Sequence, residues 1–102
     1  MPRRHNEEAE MNAEEFKALR ADELQGALLA LWWDAKGDWE KAHQVAQDID
    51  GADGAWVHAY LHRKEGDIGN AAYWYRRAGQ LQAQGDLTEE WERILSVLLA
   101  RK

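Results

Sequence analysis

Apolar residues recur along this chain at helical intervals. Leu24, Leu28, Leu31, Trp32 and Ala35 fall at i, i+4, i+7, i+8 and i+11, the stripe of an amphipathic helix. Trp39, Ala42, Ala46 and Ile49 form a second stripe, and Ile68, Ala71, Tyr75 and Ala78 a third. Leu87, Trp91, Ile94, Leu95 and Leu98 form a fourth. No stretch sustains strand-like alternation, and the sole proline is Pro2. Ala, Leu, Glu, Gln, Lys and Arg dominate, so the expected class is all-α.

Start and stop residues divide these stripes. Positions 1–11 read as a polar mobile tail, and 12–102 as one helical domain. Asn12 is placed to cap a short helix through position 20. Asp22 with Gln25 resembles a capping box, opening a helix to position 36. Gly37 stops that helix and Asp38 caps the next, to position 49. Asp50-Gly51-Ala52-Asp53-Gly54 reads as a loop before a helix over 55–65. Gly66 ends it, and Asp67 caps another to position 78. After a connection over 79–85, Asp86 with Glu89 makes a second capping box for the last helix.

Offset by 29 residues, the chain overlays itself. ALWWDAKGDWEKAHQVAQDI at 30–49 lies over AYLHRKEGDIGNAAYWYRRA at 59–78, aligning Ala30 with Ala59 and Ala42 with Ala71. Each unit is helix, Gly-Asp turn, helix. The pattern resembles the tetratricopeptide and Sel1-like repeat families, through GDWEKA, GDIGNA and NAAYWYRRAG. Its spacing is shorter than the family's usual 34 residues, and two units stand where three or more are typical. The resemblance implies a short right-handed α-hairpin solenoid of about five helices. Its units would span 22–50 and 51–79, with a capping helix over 86–101. It also implies a concave surface lined by the first helix of each hairpin. Here that surface would hold Asp34, then Trp56, Tyr60, Arg63 and Lys64.

Net charge is −6 over 102 residues, which argues against non-specific binding to nucleic acid or anionic membrane. Positions 56–80 run against that balance, with Arg63, Lys64, Arg76 and Arg77 against Glu65 and Asp67. A protein or peptide partner bearing an acidic group suits this surplus. Arg63 and Asp34 occupy equivalent repeat positions, so they could instead pair with each other. Cysteine is absent, which removes disulfides and thiolate chemistry. No apolar run reaches the roughly 18 residues that span a bilayer. Cytoplasmic residence is the expectation, with no cofactor.

Trp32 and Trp39 belong on core stripes. Trp33, about 100° around the helix from Trp32, packs near Phe16 or stands at a surface. Tyr75 is core by the repeat. Of Tyr73 and Trp74, one should pack on the last helix and the other stand exposed beside Arg76 and Arg77, as at an interface. His58 and His62, at i and i+4, face one way, with Glu65 a turn on. If His43 turns toward them, the three could hold zinc or another divalent ion. One serine, Ser96, and one threonine, Thr88, leave little room for hydroxyl nucleophiles, and no phosphate-binding or nucleotide motif occurs. The leading reading is therefore a non-enzymatic interaction module using Trp56, Tyr60, Arg63 and neighbours. The alternatives are a pocket for a small anion and a histidine-based metal site or enzyme.

Overall fold

The computed structural model describes residues 11–101, so the expected tail lies outside it except for Met11. Among the described residues the protein is all-helical, with six α-helices and no strand. They are α1 (Ala13–Lys17), α2 (Gly26–Ala35), α3 (Trp39–Gln47), α4 (Ala52–Glu65), α5 (Ile68–Ala78) and α6 (Leu87–Ala100), with a 3-10 turn at Ala21–Glu23. No described helix is long and apolar enough to cross a membrane.

The hairpin turns form where the Gly-Asp pairs stand. Gly37 and Gly66 take φ of +86° and +93°, a left-handed conformation that glycine adopts without the usual Cβ penalty. Asp38 then accepts from the Lys41 amide and Asp67 from the Asn70 amide. Each carboxylate satisfies an otherwise unpaired donor in the first turn of its helix. Helices α2 and α3 make one hairpin, α4 and α5 the other. Ala30, Ala42, Ala59 and Ala71 are all buried, as small residues between closely approaching helices should be.

Several features differ from the sequence expectation, beginning with helices α1 and α3, which end at Lys17 and Gln47 rather than at positions 20 and 49. The helix expected from Asp22 begins at Gly26 instead, with Gln25 at its cap and no side-chain cap bond. Glu23 reaches back to the Arg20 amide and closes a 3-10 turn, and Leu24 is extended behind it. The Asp50–Gly54 loop is also shorter than expected, because α4 starts at Ala52. Gly54 is a helical residue pressed on Ile49, where a Cβ would lie 2.7 Å from the Ile49 Cβ. Finally, Asp86 caps α6 by accepting from the Glu89 amide, without the reciprocal half of a capping box.

Trp91, Ile94, Leu95 and Leu98 of α6 enter the core. Trp91 Nε1 donates to the Leu31 carbonyl at 3.1 Å, and its ring meets Phe16 edge-on. The last helix thus lies against the first helix of each hairpin.

Candidate functional site

The surface expected to receive a peptide is occupied by α6. Trp56 is 4% exposed and Tyr60 2%, so the open trough that would present them is absent. Arg63 donates to Glu90 Oε1 at 2.8 Å and to the Gly85 carbonyl. Glu90, only 1% exposed, also accepts from the Tyr75 hydroxyl. The alternative Arg63–Asp34 pair does not form. Asp34 takes the Tyr60 hydroxyl at 2.9 Å and Lys64 Nζ at 2.8 Å. Lysine rather than arginine answers Asp34, because α6 brings a second acid within reach of Arg63. Burial, then hydrogen bonding to these carboxylates, pushes both tyrosine hydroxyls well above their ordinary range. Among the described residues, Asp34, Arg63, Lys64 and Glu90 are each paired.

The other side of α4 is different. Helical spacing puts His58 and His62 on one stripe, and α3 turns His43 toward them. His58 Nε2 and His43 Nε2 stand 3.1 Å apart. One ligand atom from each of His43, His58 and His62 lies within 4.8 Å of the others. His58 and His62 are buried and His43 is half-buried. His62 Nδ1 meets Glu65 Oε2 at 2.8 Å, which favours the tautomer that leaves Nε2 with its lone pair.

Two tryptophans wall this cluster. Trp39 stacks on His43, with ring centres 4.9 Å apart and planes 8° apart, and meets His62 edge-on. Its Nε1 is anchored on the Leu61 carbonyl. Trp74 stacks on His58 with centres 4.0 Å apart. The expectation that Trp74 or Tyr73 packs on the last helix is therefore corrected: Trp74 packs on α4. Tyr73 is 44% exposed and accepts from Arg77, while Arg76 is exposed. Trp33 does not reach Phe16 by any ring contact. It is half-buried, edge-on to Trp32, with Lys41 Nζ 5.0 Å above its ring. Trp39, expected in the core, is half-buried at the site's edge.

Burial, then the neighbouring His43 and His62, lowers the His58 pKa to about 4. Desolvation and His62 also lower that of His43, against weaker upward pulls from Glu65 and Glu40. At neutral pH these are uncharged imidazoles, the form that ligates metal. Of two facing Nε2 atoms one carries the proton and the other accepts it. If both protons shift to Nδ1, two lone pairs oppose each other, and a cation relieves that repulsion. A tetrahedral ion about 2.0–2.1 Å from each nitrogen sets them roughly 3.3 Å apart. The existing 3.1 Å separation of His43 and His58 is close to that.

Sequence reading found the three histidines and their convergence condition. It did not assign Trp39 and Trp74 as walls, nor Glu65 as the carboxylate holding His62. The H-x3-H-x2-E spacing was the available signal for Glu65. Glu90, which organises the opposite side, carried no signal beyond membership of a helix. Set against known proteins, the chain matches no family model, no curated protein and no solved structure.

Proposed function

We propose that the protein binds a divalent transition-metal ion at His43, His58 and His62, in the seam between its two helical hairpins. The carrying observation is the convergence of three imidazole nitrogens within 4.8 Å in a largely buried, aromatic-walled setting. Imidazole suits zinc, copper, nickel and cobalt, whereas magnesium and calcium prefer oxygen donors. An ion there would tie α3 to α4 and so join the hairpins. We read the wider frame as a short tetratricopeptide-like right-handed stack, supported by the two equivalent Gly-Asp turns.

Calorimetric titration of chelator-treated protein with Zn2+ tests the proposal. The expected result is one ion per chain, lost in His43→Ala and His58→Ala variants and unaffected by excess Mg2+. His43 is half-buried, so its variant should fold; circular dichroism checks this. Absence of Zn2+, Co2+ and Cu2+ binding by folded wild type, or undiminished binding by folded His43→Ala, sinks it.

A second reading, a face for a protein partner, is favoured by exposed Tyr73 beside Arg77 and exposed Arg76. A partner that co-purifies with wild type but not with Tyr73→Ala/Arg76→Glu supports it. A partner retained by that variant excludes the face.

A further inference from the structure

We infer, resting on that metal reading, that an ion held at this site keeps one coordination position open for an exchangeable small anionic ligand. Among the described residues only three side chains converge on the centre. Glu65, which with Asp67 forms a separate group around His62, is engaged on His62 Nδ1. A fourth protein ligand, which would close a tetrahedral structural site, is not among them. Three protein ligands plus solvent is the arrangement of reactive zinc sites.

Access and charge agree with this. His43 and both tryptophan walls are half-buried, so the centre lies near the surface. A cavity of about 230 Å3 adjoins it, lined by His58, Trp74, Arg77, Gln47, Asp50 and the start of α4. Arg77 sits 5.3 Å over the Trp74 ring, at the rim of that cavity. Imidazole ligands bring no negative charge of their own, Glu65 offsets only part of a divalent ion's charge from behind His62, and Arg77 adds positive charge at the cavity. Asp50 offsets part of this from the solvent side. The favoured occupant is therefore a compact anion with an oxygen or nitrogen donor, such as a carboxylate, with water holding the position at rest.

Cobalt-loaded protein tests the inference, because the visible bands of Co2+ report its ligands. Azide and acetate are the probes. The expected result is a saturable spectral change at one anion per ion. Arg77→Ala should weaken azide binding roughly two- to fivefold, the scale of one exposed charge, with Co2+ affinity unchanged. Co2+ bound at one per chain with bands indifferent to both anions overturns the open position alone and leaves the metal reading standing. Failure of Co2+ to bind at all overturns both. Azide affinity unchanged in Arg77→Ala overturns the assignment of this cavity as the approach.

Discussion

Helix α4 carries buried polar groups on two opposite faces. On one, Tyr60, Arg63 and Lys64 meet Asp34 and Glu90, each acid held by two donors. On the other, His58 meets another imidazole, and the walls are indole rings. On the first face each buried acid is already matched by its donors, so that polarity stabilises the fold. On the second, Glu65 answers His62, but His43 and His58 satisfy each other only by sharing a proton between nitrogens, and a cation can replace that proton. The polarity that builds a fold and the polarity that awaits a ligand are distinguished here by whether complementary charge is already present.

The strongest way to break this contrast is Glu90→Ala. It strands Arg63 and the Tyr75 hydroxyl in the interior, and removing one partner of a buried pair costs about 3–5 kcal/mol. Urea unfolding should show a loss of that size. A loss below about 1 kcal/mol, the size of an exposed pair, would mean the network is not structural.

Acid titration of the metal-free protein comes next. The His58 pKa falls from 6.5 in the unfolded chain to about 4 when folded. The unfolded state therefore binds more protons between those values, and stability decreases as pH drops from 6.5 towards 4. The expected loss is about 2 kcal/mol, and His58→Gln should flatten that part of the profile. An unchanged slope in the variant would show that His58 is not the group responsible.

Glu65→Gln sharpens the contrast at the histidine face. It keeps a hydrogen bond to His62 but removes the charge, and loss of such an outer carboxylate lowers metal affinity about 10- to 100-fold. Calorimetry with Zn2+ measures it, and an affinity equal to wild type removes Glu65 from the site. The smallest effect belongs to Lys64→Ala. The lysine is partly exposed, and Asp34 keeps the Tyr60 bond, so about 1 kcal/mol is expected by thermal melting. A loss several times larger would show that Lys64, more than Tyr60, holds the Asp34 charge.

The hairpins were legible because their signals are local. Gly37-Asp38 and Gly66-Asp67 specify turn and cap within a few residues, and the alanine register follows from helical period. The start of α2 was misread because Asp22 and Gln25 match a capping spacing while Glu23 competes for the Arg20 amide, and nothing local ranks the two. Whether the last helix covers the concave surface was left open by the sequence for another reason. The placement of α6 beside Tyr60 and Lys64 depends on long-range contacts, including Glu90 to Arg63, that no spacing encodes. The histidine pair was visible at i and i+4, but its third member depended on how the α3–α4 seam packs.

The bond from Trp91 to the Leu31 carbonyl links residues 60 positions apart, and it bears on how the molecule comes apart. Open repeat arrays contact only their neighbours and can lose units one at a time from an end. Here the C-terminal helix grips the first hairpin as well as the second, so neither hairpin is free to unfold alone. Loss of the chain's final turns should loosen its beginning, and the protein should melt in a single cooperative step, with the slower folding that distant contacts impose.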